Sequence, residues 1–357
     1  MKQQIIISII TASLITSCSN TKKSGGFASV SPNALKPVII TEQVQYDTDD
    51  PAIWINKTDV SKSIVVGTDK QNGGGLYAFD INGKIINKLT GLQRPNNVDI
   101  AYGLMLNGEP IDIAVFTERN ANSIRVVSLP KFSFIDNAGI PVFENETQKE
   151  FRDGMGIALY TAPDNSIYAI VGRKTGSNGT YLWQYKLQDD NKGNVTATLV
   201  RKFGNYSGKK EIEAIAVDNE AGFVYYCDEQ VGVRKYFADP AKGDEELAFF
   251  GTSDFKEDNE GISIYKTGAT TGYILISNQQ DNSFNVYRRE GDAGKPHAHT
   301  LIARIPLSTI ESDGSDVSNV AVSPLFPKGL FVAMSNGKVF HYYNWSDMEA
   351  LILQQQQ

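Results

Sequence analysis

The sequence has little cysteine and little histidine. It contains two cysteines, Cys18 and Cys227, and three histidines among 357 residues. This rules out a framework of several disulfides and a cysteine-based zinc site, and it disfavours iron. Cys227 ends an apolar run and is expected to be a buried small hydrophobic side chain. His297 and His299 fall in a loop with glycine and proline, and we expect them to be exposed.

The sequence also lacks a basic stripe and an apolar run long enough to cross a membrane. The net charge is −7, so binding to nucleic acid is not expected. The apolar run from Ile5 to Leu14 is short and follows Met1-Lys2. Small residues then precede Cys18, as in a bacterial lipobox. Residues 1–18 are therefore predicted to be a lipoprotein signal peptide with Cys18 lipidated, and an ordinary secretory signal is the alternative.

Residues 19–36 are rich in serine, lysine, glycine and asparagine and are predicted to be a flexible tether. The chain is then expected in the cell envelope, lipid-anchored or secreted, and not in the cytoplasm. Ser19 after the cysteine favours the outer membrane by analogy. Contact with the membrane is expected through the lipid anchor only.

A repeated unit organises the remaining residues. An acid or amide precedes a short apolar strand, a second strand ends in polar or charged residues, and an aromatic strand follows, usually with a fourth behind it. The first strands begin near residues 52, 98, 156, 214, 261 and 320. This spacing of about 46 to 60 residues suits four-stranded blades. We therefore predict an all-β, six-bladed β-propeller over residues 37–350, with a pair of β-sandwiches as the alternative.

The chain ends provide two further expectations. The segment 38–40 is left over before the first unit, and the sixth unit lacks an outer strand. The N-terminal strand is therefore predicted to close the ring. Few stretches have a helical pattern, and only the tail after Trp345 is expected to form a helix.

The acids of the repeat fall at the starts of the first strands. Asp49 and Asp50 precede the apolar run 52–55, and Pro51 suits the start of a strand because it has no N–H to donate. For this pair alone, solvation explains the charges. Innermost strands line the channel of a propeller, so repeated donors would converge at one mouth, and many oxygens suit calcium. The donors are Asp49, Asp50, Asn97, Asp153, Glu213, Asp258, Glu260 and Asp313.

A second ring is expected where the second strands end. It consists of Lys70, Arg119, Arg173-Lys174, Asp228-Glu229 and Asn278-Gln279. A basic arc beside carboxylates suits a polyanionic ester, because the cations can hold phosphates while metals activate water. Structural ion pairs between blades are the alternative. A serine hydrolase is disfavoured because no Gly-x-Ser-x-Gly motif is followed by a suitable histidine.

Several motifs together resemble the β-propeller phytases, from about Val38 to Trp345. They are the segments 47–54, 96–99, 211–214, 258–261, 313–316 and 327–333. The resemblance implies a bacterial six-bladed enzyme, a 3-phytase, that uses several calcium ions. It would hydrolyse phosphate monoesters of phytate (myo-inositol hexakisphosphate) through in-line attack of a metal-bridged water on phosphorus. A monomer is expected.

The resemblance also implies roles for individual residues. Catalytic calcium would be bound by Asp49, Glu213, Glu229, Asp258, Glu260 and Asp313. Asp50, with Pro51 and Val98 through their carbonyls, would bind a structural calcium. Substrate phosphate would be held by Lys70, Arg119 and Lys174. The chain departs from the family pattern at Gln71, Met155 and Ala214, which stand where a lysine, a tyrosine and a glycine are expected, and in a shorter loop before Asp313.

Two other functions stay open from the sequence. A calcium-dependent propeller lactonase or esterase also has an acid-lined channel, although a neutral ester does not need the basic arc. A surface binding propeller with purely structural calcium is the non-enzymatic alternative.

Overall fold

The structure, a computed structural model, describes residues 28–357. The predicted signal peptide, the lipidation site Cys18 and the tether up to residue 27 lie outside the described residues. In the rest of the tether, the amide of Ala28 donates to the Gln280 carbonyl at 2.8 Å, and the amide of Leu35 donates to the Pro306 carbonyl at 2.9 Å. Within residues 28–357, no helix has the length and apolar character needed to cross a membrane.

The described chain forms six antiparallel sheets arranged as blades. A short N-terminal strand, β1, covers Ile39–Ile40. Blade 1 contains β2 (Thr48–Trp54), β3 (Ile64–Asp69), β4 (Gly75–Asp80) and β5 (Ile85–Thr90). Blade 2 contains β6 (Pro95–Leu106), β7 (Glu109–Glu118), β8 (Ser123–Leu129), β9 (Ser133–Phe134) and β10 (Ile140–Pro141). Blade 3 contains β11 (Gly154–Thr161), β12 (Ile167–Arg173), β13 (Leu182–Asp189) and β14 (Val195–Phe203).

The second half of the chain continues the pattern. Blade 4 contains β15 (Ile215–Asp218), β16 (Phe223–Asp228), β17 (Gly232–Phe237) and β18 (Ala248–Phe250). Blade 5 contains β19 (Ile262–Lys266), β20 (Gly272–Asn278), β21 (Ser283–Arg288) and β22 (Leu301–Pro306). Blade 6 contains β23 (Ser315–Ser318), β24 (Leu330–Ser335) and β25 (Val339–Asn344). Helix α1 (Trp345–Gln355) follows.

Strand β1 closes the ring by pairing with β25, with Ile39 opposite Tyr342 and Ile40 opposite His341. The first strands of neighbouring blades contact each other all the way around, from β2 through β6, β11, β15, β19 and β23 back to β2. In blade 2 the two short strands β9 and β10 share the outer position, since both pair with β8. The prediction of a six-bladed propeller closed by an N-terminal strand is confirmed.

The apolar core lies between the blades. Six clusters of buried side chains each join two neighbouring blades. Because successive side chains of a strand point to opposite faces, Val66 packs toward blade 2 and Val65 toward blade 6. Both faces of each blade are therefore covered, which explains the continuous apolar runs of the sequence.

Helix α1 confirms the predicted helical tail. The side chain of Asn344 caps it by accepting a hydrogen bond from the amide of Ser346 at 3.1 Å. Trp345 is buried and its ring stacks on Tyr265 with 3.6 Å between centroids. The helix thereby extends the apolar cluster between blades 5 and 6 and reaches beyond residue 350.

Aspartates connect the innermost strands across three blade boundaries. Each innermost strand is the edge of its sheet, so its channel-facing amides lack partners in the ladder. Asp99 Oδ2 accepts from the Leu159 amide at 2.6 Å, and Asp316 Oδ2 accepts from the Ile53 amide at 2.7 Å. Asp50 Oδ2 accepts from the Val98 amide at 3.0 Å. These bonds fix neighbouring blades to each other around the channel.

Candidate active site

The ends of the second strands and the starts of the innermost strands lie together at one mouth of the channel. In an antiparallel pair, the end of one strand is beside the start of the other. The amide of Lys70 donates to the Asp47 carbonyl at 2.8 Å. The amides of Lys174 and Gln279 make the equivalent bonds, to the Asp153 carbonyl at 2.9 Å and the Asp258 carbonyl at 3.0 Å.

A bulge sets the direction of the acids in blade 1. The pairing of β2 with β3 is interrupted between Thr48 and Pro51, so Asp49 and Asp50 have no partners in the ladder. Blades 2 and 3 have irregularities at the equivalent places, at residues 96–97 and 155–156. Bulges re-aim side chains. They let Asp49 face the mouth while Asp50 faces the channel below it.

Lys70 joins Asp49 and Asp313, which come from opposite ends of the chain. Its Nζ lies 3.3 Å from Asp49 Oδ1 and contacts Asp313 Oδ2. Burial raises the pKa of Asp49 to about 6, against the opposing effect of the Lys70 charge. Burial would lower the pKa of Lys70, but the two carboxylates raise it well above its usual value. This group is a partly buried cation between two acids.

A second group consists of Glu229, Asp258 and Glu260, which we call the carboxylate triad. One oxygen from each lies within 4.8 Å of the others, an arrangement that could hold a metal ion. Burial raises the pKa of Glu229 to about 7 and that of Glu260 well above its usual range. For Asp258, burial is outweighed by hydrogen bonds and by the charge of Lys210, so its pKa is lowered.

Gln279 connects the two groups. Its Nε2 donates to Glu260 Oε2 at 2.7 Å and to Asp313 Oδ1 at 2.6 Å. Glu213 completes the ring of acids. Burial raises its pKa well above its usual value, and the negative charges of Asp49 and Asp313 add to that effect. The six carboxylates predicted to bind catalytic metal therefore lie together at this mouth.

The mouth fits a divalent cation by its donors. Asp49 Oδ2 and Glu229 Oε2 are buried and have no hydrogen-bond partner among residues 28–357. Buried charged oxygens without partners are unfavourable unless a positive charge compensates them. The six carboxylates supply the oxygen ligands that hard cations prefer. Residues and geometry thus fit a metal site at this mouth.

Asp50, Pro51 and Val98 lie together in the channel. They line a cavity of about 110 Å³ that also includes Asp99 and Asp316. Burial raises the pKa of Asp50 well above its usual value. A side chain at position 314 would collide with Asp50, so a glycine is needed there.

The basic residues of blades 2 and 3 have acidic partners. Arg119 Nε lies 3.7 Å from Asp153 Oδ2, and Lys174 Nζ lies 3.8 Å from Glu211 Oε1. Arg173, expected beside Lys174 in the basic arc, instead donates to Glu146 Oε1 at 2.7 Å, in the segment that connects blades 2 and 3. Successive strand residues face opposite ways, so only one member of this pair can reach the mouth.

The residues that depart from the family pattern have ordinary packing. Met155 is buried, and its carbonyl accepts from Thr117 Oγ1 at 2.7 Å. The Nε2 of Gln71 lies 3.5 Å from Asp47 Oδ2. Ala214 belongs to the cluster between blades 4 and 5.

Two expectations about single residues have opposite outcomes. Cys227 is buried in the same cluster, as predicted. The predicted exposure of His299 is wrong, because His299 is buried and its Nε2 lies 3.2 Å from Lys235 Nζ. His297 is partly buried, and its ring packs edge-on against Phe223. Tertiary packing of the loop, which the local sequence does not encode, covers the second histidine.

Sequence reasoning missed Lys210 as a site residue. It precedes the motif 211–214, and it contacts the carboxylate triad. The pair Lys209-Lys210 directly before an acidic motif was an available signal. Its loop has no strand pattern from which the direction of a side chain could be inferred.

Comparisons with known proteins agree with this architecture. A family model described as Phytase matches residues 3–341. A 3-phytase of Bacillus subtilis (strain 168) is 31% identical over 307 residues, which cover 82% of this chain and 75% of the relative. The chain belongs to the phytase family.

Proposed function

We propose that this chain is a calcium-dependent 3-phytase that hydrolyses phosphate monoesters of phytate (myo-inositol hexakisphosphate) and releases inorganic phosphate. The observation that carries the proposal is the ring of six carboxylates at one mouth of a phytase-family propeller, with cations from several blades beside it. Phytate carries its phosphates around a small carbon ring, so cations spaced around the mouth of the channel could each bind a different phosphate.

The six carboxylates are proposed to hold calcium at the mouth. They are Asp49, Glu213, Glu229, Asp258, Glu260 and Asp313. Support comes from the buried, unpartnered oxygens of Asp49 and Glu229 and from the raised pKa values that burial causes. Bound calcium would supply positive charge that acidifies water and polarises a phosphoryl oxygen.

The cations are proposed to bind and orient the substrate. Lys70 would hold one phosphate at the acid ring, while Arg119 and Lys174 would hold others from blades 2 and 3. A guanidinium can bind a phosphate through two parallel hydrogen bonds, whereas an ammonium acts as a point charge. Fixing several phosphates at once would place one phosphorus near the carboxylate ring and limit rotation of the substrate.

The channel residues Asp50, Pro51 and Val98 are proposed to bind a structural calcium. The support is their common position around the channel cavity and the raised pKa of Asp50. The positive charge of the calcium would compensate the buried Asp50. It would thereby stabilise the closed ring of blades, since metal binding to the folded state adds to stability.

The remaining proposals concern location and assembly. The lipobox-like sequence at Cys18 supports a lipid-anchored protein of the cell envelope, by analogy in the outer membrane. A monomer acting on a small soluble substrate is proposed. A lactonase, an esterase or a binding propeller is less favoured, because the family and the cations suit a polyanionic phosphate ester.

Phosphate release from phytate by the purified full chain tests the proposal. We expect release in calcium and none in excess EGTA, with p-nitrophenyl phosphate and a lactone as comparison substrates. Undiminished release in EGTA would contradict calcium dependence. Hydrolysis of the lactone alone would favour the esterase alternative. Calcium that raises the melting temperature without phosphate release would make the acids structural.

A further inference from the structure

Lys210 extends from the loop between β14 and β15 into the carboxylate triad. Its Nζ contacts Glu229 Oε1 and lies 3.1 Å from Asp258 Oδ1 and 3.6 Å from Glu260 Oε1. These are the three residues whose oxygens could together hold a metal ion. One ammonium group thus contacts all three members of the triad.

Lys210 is more exposed to solvent than the three carboxylates that it contacts. Its side chain is 31% exposed, whereas those of the three carboxylates are between 2% and 13% exposed. Within residues 28–357, no other lysine or arginine lies within 4.0 Å of these carboxylates. A lysine has a flexible four-carbon stem, so an ammonium that enters from solvent can also leave toward solvent.

We propose that Lys210 is a tethered cation that competes with the divalent metal for the carboxylate triad and thereby sets the affinity of that site. This inference rests on the proposed metal-dependent function. The ammonium and a metal ion would bind the same three carboxylates, and their charges repel strongly at contact distance in a partly buried site. Metal binding therefore requires Lys210 to swing outward, while without metal Lys210 compensates three buried acids.

Thermal unfolding of the full chain separates this role from a merely structural one. The wild type, Lys210→Met and Lys210→Arg are purified in calcium and compared in EGTA and along a calcium titration. We expect Lys210→Met to melt at a lower temperature in EGTA and at the wild-type temperature in saturating calcium. The calcium concentration that gives half of the full stabilisation, the calcium midpoint, should be about tenfold lower for Lys210→Met than for the wild type, since the competing charge is gone.

Three variants control the interpretation. Lys210→Arg keeps the charge and should keep a midpoint near that of the wild type. Lys62→Met removes an exposed lysine paired with Asp59 in the connection between β2 and β3 and should leave both measurements unchanged. In a Glu229→Gln background, Lys210→Met should shift the midpoint less, because part of the competition has already been removed.

The outcomes distinguish this inference from the proposed function. An equal fall in melting temperature with and without calcium would make Lys210 a structural ion-pair residue and overturn the inference, as would an unchanged or raised midpoint. If calcium stabilises the wild type and phytate is not hydrolysed, the proposed activity fails and the competition stands. If calcium does not stabilise the wild type, both the metal site and the inference are wrong.

Discussion

Asp316 provides a quantitative test of how the blades are held together. Its Oδ2 accepts from the Ile53 amide of blade 1 at 2.7 Å, and its Oδ1 accepts from the Val317 amide at 2.7 Å. Asp316→Ala removes both acceptors, whereas Asp316→Asn keeps an amide oxygen that can still accept from Ile53. The two variants therefore separate the loss of a hydrogen bond from the loss of a charge.

The expected magnitudes follow from burial. A buried amide left without a partner costs about 1–3 kcal/mol, and Ile53 is buried, so Asp316→Ala should be less stable than Asp316→Asn by that amount at any pH. Burial raises the pKa of Asp316 to about 7 from an ordinary value of 3.8. Between pH 3.8 and pH 7 Asp316 is protonated in the folded state and ionised in the unfolded state. The contribution of Asp316 to stability therefore falls as pH rises through this range.

The raised pKa of Asp316 corresponds to a loss of at most about 4 kcal/mol in the free energy of unfolding above pH 7. The carboxylate is half-buried and solvent screening reduces this figure, so we expect a loss of about 1–2 kcal/mol. Asp316→Asn avoids this unfavourable charge. Asp316→Asn should therefore be more stable than the wild type at both pH values, by a smaller margin at pH 5 than at pH 8. Asp316→Ala should be less stable than Asp316→Asn at both pH values.

Urea unfolding in EGTA at pH 5 and pH 8, followed by tryptophan fluorescence, measures these differences. Asp347→Asn, an exposed change on α1, is the matched control and should alter stability by less than about 0.5 kcal/mol. Equal stability of Asp316→Ala and Asp316→Asn would refute the proposed connection between blades 6 and 1. If Asp316→Asn is no more stable than the wild type at pH 8, the argument about charge is refuted.

Three further predictions concern the site, acid stability and ring closure. Lys70→Met should lower kcat/KM on phytate by about 10–100-fold, because one hydrogen bond from a charged group to the substrate is lost. Lys62→Met should leave kcat/KM unchanged. If the two variants have equal kcat/KM values, Lys70 is not part of the site. Burial lowers the pKa of His341 to about 4, so between pH 6.5 and pH 4 the unfolded chain binds a proton that the folded chain does not. The free energy of unfolding should therefore fall by about 3 kcal/mol over this range. In urea titrations His341→Gln should show a smaller fall. Deleting residues 1–41 should expose the edge of β25 and cause self-association in sedimentation experiments; a stable monomer would contradict this.

The fold was predictable because its signals are repeated and strong. Runs such as 64–66 are apolar on both faces, as a blade between two neighbours requires. The unpaired segment 38–40 and the missing outer strand of the last unit together indicated how the ring closes. Repetition made each weak strand signal support the others.

The site was predictable only where the repeat fixes the position of a residue. Asp49 and Glu260 were placed correctly at the mouth because they precede innermost strands. Lys210 lies in a loop without periodicity, so its contact with the triad depends on tertiary structure. The same reason explains the unexpected burial of His299 beneath its loop.

The closure of blade 6 has a consequence for the order of folding. The Phe340 amide donates to Thr41 Oγ1 across 299 residues of sequence, and β1 pairs only with β25. Contacts of such sequence separation form slowly, because the whole intervening chain must be organised before they add stability. During synthesis the first five blades can form their internal sheets, but the ring cannot close until the last strand has left the ribosome. The partial ring would remain open for that period, with the channel acids on its inner edge still facing bulk water.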